Sequence, residues 1–246
     1  MKRKEMTKLA IPKSSFATNE YFYDERFIYA KTKDDGELLK LALFDDGFYK
    51  LRVFNGVPIL EIDGLRMHLV KEFKTPLDYS KQVVKTLAIK TQNSRPKTVL
   101  DTCMGLGYTS IEAHSAGASV TTCEISRAVL TLAQWNPWSE KLFGNSGITI
   151  VEGDITKKIK DMNDCSFDAI IHDPPRFSKA GQLYSLEFYK QLYRVMKPGG
   201  RLFHYVGSVG KGKGRRIDEE VEKRLKEAGF GKIKKIRNLQ GLAALR

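Results

Sequence analysis

The apolar run Ile170-Ile171-His172 ends in Asp173, Pro174 and Pro175, and Arg176-Phe177-Ser178 follow at once. Two consecutive prolines remove two backbone donors and hold φ near a single value, so a strand ending here finishes rigidly in a carboxylate and bare carbonyls. Such a tip accepts hydrogen bonds and donates none, which suits a substrate amine. Asp-Pro also closes strands for ordinary turn reasons, so this segment alone does not choose between a site and a turn. His172 and His204 fall at the tips of what should be adjacent strands. Either could take up a proton after a transfer step, or both could be hydrogen-bonded wall residues. Phe177 and Tyr205 are the aromatic side chains available to a planar acceptor.

A second constellation lies upstream. Val99-Leu100-Asp101 reads as a strand, Thr102-Cys103-Met104-Gly105-Leu106-Gly107 as a glycine turn, and Tyr108-Thr109-Ser110 as a helix start. Glycines at 105 and 107 let the backbone approach a ligand closely. The third glycine of a dinucleotide fingerprint is replaced by Ser110, and no Gly-Lys-Ser/Thr of a phosphate-binding loop follows, so a different adenosine cofactor is implied. Glu124 ends the next strand, where a carboxylate can accept two hydrogen bonds at once; a solvated surface acid is the alternative. Asp154, after Glu152-Gly153, is either a ligand acceptor or a helix N-cap.

The pattern Asp101-x-Cys103-x-Gly105-x-Gly107 resembles motif I of the class I S-adenosylmethionine (SAM)-dependent methyltransferases, and the resemblance runs over roughly residues 95–246. It implies SAM as cofactor and S-adenosyl-L-homocysteine as product; separately, no His/Asp/Glu cluster has metal-ligand spacing, so no metal is expected. The resemblance places Asp101, Cys103, Met104, Gly105 and Gly107 around the methionine part and Glu124 on the ribose hydroxyls. Asp154 then meets the adenine amine, with Ile125 and Ile155 flanking the ring. Asp173-Pro174-Pro175 resembles the Asn/Asp-Pro-Pro-aromatic motif of amino-directed methyltransferases, in which the acid and a proline carbonyl accept from a planar amine. Arg176 stands in the aromatic's place here and Phe177 one residue later, so an acceptor other than an amine stays open. Cys103 to Tyr108, Asn136-Pro137-Trp138-Ser139, the segment 172–178 and Phe203-His204-Tyr205-Val206-Gly207 together resemble a family of predicted archaeal RNA methyltransferases with an Asp-Pro-Pro-Arg motif.

The acceptor side is read from charge. A formal net charge of +13 over 246 residues and a pI near 9.5 raise the local concentration of polyanions, so nucleic acid is an expected partner, and the resemblance above implies RNA, as tRNA or rRNA. Lys211, Lys213, Arg215 and Arg216 would form a cationic lip on the same sheet edge as Asp173. Together with Arg176, His204 and Tyr205, Lys211 and Lys213 are the expected substrate contacts, while Lys232, Lys234, Lys235 and Arg237 extend the basic surface. Lys50, Arg52 and Arg66 add cations on N-terminal hairpins. Cys165 precedes the strand ending at His172 rather than following it, which disfavours cytosine-C5 chemistry through a thiolate. An aminopropyltransferase acting on polyamines is the main rival, but those enzymes carry a further acid shortly after the strand-end Asp, where Pro174-Pro175-Arg176 stand here. A small-molecule or protein methyltransferase is another.

These residues need a scaffold, and the sequence specifies one. Alternation of short apolar and turn-rich segments from 96 onward predicts strands at 98–101, 119–123, 148–152, 167–172, 200–206, 232–237 and 242–245. Helices are expected from 109, from 126, at 185–196 and at 218–228. The expectation is an α/β Rossmann-like class I methyltransferase fold whose seven-stranded sheet is mostly parallel with an antiparallel final hairpin. Asn55-Gly56 and Asp63-Gly64 between strand-length apolar runs predict a small antiparallel β-domain over 1–75, and a helix from Pro76 to about 91 fills a linking segment at 76–95. Three cysteines in no metal-binding spacing and the lack of an apolar leader or membrane-length run predict a soluble, reduced, cytoplasmic protein; oligomeric state is not legible.

Overall fold

The computed structural model describes all residues except 1–5, 14, 16, 34, 35, 71, 90–94 and 208–216. The first half is built from β1 (Thr7–Lys8), β2 (Glu20–Tyr23), β3 (Ile28–Lys31), β4 (Leu38–Lys40), β5 (Ala42–Phe44), β6 (Phe48–Phe54), β7 (Val57–Ile62) and β8 (Leu65–Arg66). Helix α1 (Pro76–Thr86) follows. Then come β9 (Thr98–Asp101), α2 (Tyr108–Ser115), β10 (Ser119–Glu124), α3 (Arg127–Trp135), β11 (Ile148–Glu152), α4 (Ile155–Lys158), β12 (Phe167–His172), α5 (Leu186–Val195), β13 (Met196–Tyr205), α6 (Ile217–Glu227), β14 (Gly231–Ile236) and β15 (Gly241–Leu245).

Two compact units result. The first comprises Met1–Tyr79, Gly105–Tyr108 and Ser126–Asn145, the second Ser80–Met104, Thr109–Ile125 and Ser146–Arg246. The division therefore departs from the expected cut at residue 75. In the first unit the Tyr108 hydroxyl donates to the Pro58 carbonyl at 2.8 Å and accepts from Asn136 Nδ2 at 2.9 Å. Two antiparallel sheets, β1-β2-β3-β4 and β5-β6-β7-β8, form this unit. Asn55 and Gly56 have φ of 48° and 79°, and Asp63 and Gly64 have 49° and 78°, the paired positive values that a tight hairpin between right-twisted strands needs. The first sheet was not legible, because β1 is only two residues long and β2 and β3 lack a turn dipeptide of this kind.

The second unit is a seven-stranded sheet in the order β11-β10-β9-β12-β13-β15-β14. Strands β9 to β13 run parallel, and β15 is antiparallel to both β13 and β14. Val99, Leu100, Ile170, Ile171, Leu202 and Phe203 are buried on these central strands, as expected of a sheet covered on both faces. Order reverses between β9 and β12, and α/β proteins bind ligands beyond the carboxyl ends of the strands at such a point. Register brings Asp101 level with both Thr122 and Ile171, and His172 level with His204.

Local signals set the helix ends. Thr75 and Asp78 cap α1 reciprocally: Asp78 N donates to Thr75 Oγ1 at 3.2 Å and Thr75 N to Asp78 Oδ2 at 3.1 Å. This helix stops at Thr86, short of the expected end near 91, because Ala88 turns left-handed at φ 47°. Ser126 and Ser185 cap α3 and α5 through their hydroxyls. Strand β13 begins at Met196, four residues before the expected start at 200, and its pairing with β12 shifts register between Phe167 and Ala169.

Candidate active site

Asp101 is fully buried at the end of β9 and accepts hydroxyl hydrogens on Oδ2 from Thr109 and Ser110, each at 2.7 Å. It therefore shapes the glycine turn from behind, through the first turn of α2, instead of facing a ligand as expected. Burial pushes its carboxyl up to about 6 against the opposing pull of those two hydroxyls. Its Oδ1 and the hydroxyl of Thr122, its register neighbour on β10, are the two buried side-chain polar atoms among the described residues with no hydrogen-bond partner. Met104 also departs from expectation. Its side chain is 3% exposed, and its N–H donates to the Cys123 carbonyl at 2.8 Å, so it binds the β9 and β10 tips together rather than meeting a cofactor.

Gly105 has φ +55°, with nothing among the described residues within 4 Å of where a side chain would project. Gly107 has φ +73°, and a side chain there would overlap Leu142. The two glycines serve different ends: the first leaves room in front of the turn, the second lets the chain pack closely. Cys103 between β9 and this turn is half-buried, its thiol pushed well up by burial and by the neighbouring Glu124 charge. It is held as a neutral thiol.

Glu124 ends β10, half-buried, and the next residue, Ile125, is 67% exposed. A large apolar side chain in water beside a strand-tip acid fits a site that an aromatic base would cover. Asp154 takes the capping role: Oδ1 accepts from Thr156 N at 2.9 Å and from Thr156 Oγ1 at 2.8 Å. Its second oxygen has no partner among the described residues. Ile155, expected beside Asp154 as a flank of the ring, packs instead into the core with Cys123 and Ile159. The acid pair and the exposed Ile125 fit an adenosine-type cofactor such as SAM.

On the acceptor side Asp173 is half-buried and Pro174 buried. The Pro175 carbonyl is not bare, since Tyr184 Oη donates to it at 3.0 Å. That bond fixes the double-proline segment and leaves Pro174 as its free carbonyl candidate. Asp173 acts electrostatically on Cys103, Tyr184 and Tyr205. Burial and then this carboxylate push the Tyr205 phenol up to about 12, while Arg176 pulls it back. Asp173, Arg176 and Tyr205 therefore share one electrostatic neighbourhood. Phe177 is 38% exposed and meets Tyr184 edge-on, with ring centroids 5.4 Å apart at 78°. Arg176 is exposed, its carbonyl accepting from Lys179 N at 2.8 Å and Ala180 N at 3.2 Å, and its guanidinium has no ion-pair partner among the described residues.

Both histidines are wall residues. His172 is fully buried, with Nδ1 2.7 Å from Thr102 Oγ1 and Nε2 2.9 Å from the Leu183 carbonyl, and burial lowers it to about 4. His204 is equally buried, 2.8 Å from Tyr189 Oη and 3.3 Å from the His172 carbonyl, and is held well below the usual histidine range, chiefly by burial. Neither can meet a substrate, contrary to their expected catalytic and substrate-binding roles. Tyr184, Tyr189 and Thr102, which shape this region, carried no pattern in the sequence to single them out. Lys211, Lys213, Arg215 and Arg216 lie outside the described residues. Lys50 and Arg52 are not a free basic surface, because they pair with the buried Glu61 at 2.8 and 3.1 Å; Lys235 likewise pairs with Asp218 at 2.8 Å. Among the described residues no group of three or more His, Cys, Asp or Glu could hold a metal ion, and no helix is long and apolar enough to cross a membrane.

Comparison with known proteins bears on this geometry. Residues 99–200 match the family described as a methyltransferase domain. The uncharacterized protein MJ1233 of Methanocaldococcus jannaschii is 48% identical over 213 residues, covering 86% of this chain and 72% of that protein. A polyamine aminopropyltransferase of Sulfolobus acidocaldarius is 31% identical over 151 residues, 58% of this chain and 48% of its own length. The chain spans half or less of each aminopropyltransferase it matches. The spermidine synthase of Thermotoga maritima shares the fold, with a TM-score of 0.65 at 16% identity over 97% of this chain and 81% of that one. The chain belongs to the same family as MJ1233, and its residues 99–200 match a methyltransferase domain.

Proposed function

We propose that this enzyme transfers the methyl group of SAM to a nitrogen of an RNA base, in tRNA or rRNA. The observation that carries the reading is the strand tip after β12: a half-buried acceptor, Asp173, with an exposed guanidinium, Arg176, three residues on that has no ion-pair partner among the described residues, and an exposed ring, Phe177, beside it. Acid, ring and cation are what a base nitrogen, a base face and a phosphate each require. The net charge of +13 supports a polyanionic acceptor.

When bound, SAM supplies an electrophilic methyl on a sulfonium and departs as S-adenosylhomocysteine. Such an in-line displacement depends chiefly on positioning and desolvation. Asp173 and the Pro174 carbonyl orient the acceptor nitrogen by accepting its hydrogens, and Asp173 takes the proton released as the new bond to carbon forms. Tyr184 holds Pro175 in place so that the acid does not swing. Phe177 covers the base, which must leave its stack to arrive there. Glu124 and Ile125 hold the adenosine end.

A second reading, aminopropyl transfer to a polyamine, is favoured by the aminopropyltransferase relatives and by the spermidine synthase likeness that extends over the N-terminal sheets. Arg176 and the excess positive charge weigh against a polycationic acceptor. Methyl-labelled SAM offered with total RNA, protein or polyamine pools, alongside decarboxylated SAM with putrescine, separates the two. Label in RNA supports the proposal; uptake only from decarboxylated SAM into polyamine establishes the rival.

A further inference from the structure

Behind Asp173 lies a buried polar chain that the proposed chemistry does not touch. His172 and His204 end the neighbouring strands β12 and β13 in register, with ring centroids 4.3 Å apart, and both are fully buried. A carbonyl oxygen can only accept, so the partners fix the tautomers. His172 Nε2 faces the Leu183 carbonyl at 2.9 Å and must carry the hydrogen, which leaves Nδ1 to accept from the Thr102 hydroxyl at 2.7 Å. His204 Nδ1 faces the His172 carbonyl at 3.3 Å and donates, which leaves Nε2 to accept from Tyr189 Oη at 2.8 Å. Every hydrogen is placed with both rings neutral.

Two of these bonds reach the reacting loops. Thr102 is the residue before Cys103, at the entry to the glycine turn, and its N–H also donates to the Ile171 carbonyl at 3.0 Å. The His172 carbonyl belongs to the peptide unit that carries the Asp173 N–H, and β12 ends there, so an imidazole takes the bond that a continuing strand would have supplied. The chain thus runs from the loop on the methyl-donor side, through His172, to the peptide unit of the acceptor-side carboxylate, and is anchored by His204 and Tyr189 on α5. We propose that the neutral His172–His204 pair is a positioning element that keeps the β9 and β12 tips in register, and that methyl transfer depends on it although cofactor binding does not. In-line displacement loses rate steeply when the reacting atoms shift by an ångström. The proposal rests on the methyl-transfer reading above.

The titratable and charged groups around the pair are Thr102's neighbours Asp101 and Cys103 on the β9 side, Tyr184 before α5, Tyr189 on α5, Arg224 on α6, and Asp173 and Tyr205 at the two tips. None supplies a charge that would favour imidazolium inside the pair, since Asp173 lies beyond the carbonyl.

Tyr189→Phe and Thr102→Val each remove one hydroxyl at nearly constant shape, and Thr102→Ser restores one. With full-length protein, SAM affinity by titration should stay within about twofold. Single-turnover methyl transfer should fall about tenfold in the first two variants and return toward wild type in Thr102→Ser. The acid limb of the rate profile should move to higher pH in Tyr189→Phe, because the lost donor no longer favours neutral His204. Nitrogen NMR of histidine-labelled wild type should show both rings neutral at pH 7, His172 protonated on Nε2 and His204 on Nδ1. Transfer at the wild-type rate in both hydroxyl-deleted variants, or a charged or reversed tautomer, overturns the proposal. A wild type that labels no acceptor fails the methyl-transfer reading instead, and the nitrogen shifts then decide the pair by themselves.

Discussion

Ser110 donates its hydroxyl hydrogen to Oδ2 of Asp101 across 2.7 Å, tying the first turn of α2 to the last residue of β9 on the far side of the glycine turn. The bond holds a carboxylate in a place from which water is excluded, and burial lifts its pKa to about 6. Between roughly pH 4 and 6 the folded chain therefore binds this proton more tightly than the unfolded chain does. Stability contributed by the protonated acid is present below that window and is lost as pH rises through it, by roughly 3 kcal/mol in all. Asp101→Asn keeps an acceptor for Thr109 and Ser110 without the charge. Denaturant unfolding should show the variant's stability flatter than wild type from pH 4 to 7 and at least equal to it at pH 7.5. A variant that is less stable at pH 7.5 with an unchanged pH slope would contradict this account.

Asp173→Ala should bind SAM within about twofold of wild type while methyl transfer falls by about 100-fold or more, the range for losing a group that orients and takes a proton. Equilibrium binding and single-turnover rates measure the two separately. Equal loss of both would make Asp173 a cofactor or folding residue.

Arg176→Glu changes the exposed guanidinium without touching a described ion pair. RNA affinity should weaken and the slope of its logarithm against that of salt concentration should flatten by about one phosphate's worth, with SAM affinity unchanged. An unaltered slope would remove Arg176 from the acceptor site.

Ile125 is 67% exposed, so Ile125→Ala should leave unfolding free energy within about 0.5 kcal/mol of wild type. SAM should bind about fivefold more weakly, from about 1 kcal/mol of lost apolar cover on the adenine. Unchanged SAM affinity would show that the side chain faces only solvent.

Much of this arrangement was legible one residue at a time. The strands of the second unit fall within a few residues of their expected places, because buried parallel strands are unbroken apolar runs and hydrogen-bonding caps such as Ser126 and Ser185 announce their helices. The first sheet was not, since β1 to β4 are short and derive their pairing from neighbours distant in sequence. Residue types alone also misjudged His172, His204 and Met104, whose chemistry depends on which side of the strand tip each one faces.

The amino-acid sequence by itself determined the alternating α/β pattern, the glycine turn with its strand-tip acids, the rigid Asp173-Pro174-Pro175 ending and the excess of positive charge. All of these are set by local backbone preference or by composition. Tertiary structure decided which polar groups are withdrawn from solvent. Asp101 turned to Thr109 and Ser110, Pro175 to Tyr184, His172 to Thr102 and Leu183, and His204 to Tyr189 and the end of β12, while Ile125, Arg176 and Phe177 stayed exposed. The physical reason is desolvation: a buried polar group must find its partner inside the fold, and that partner is chosen by packing between strands that lie far apart in the chain.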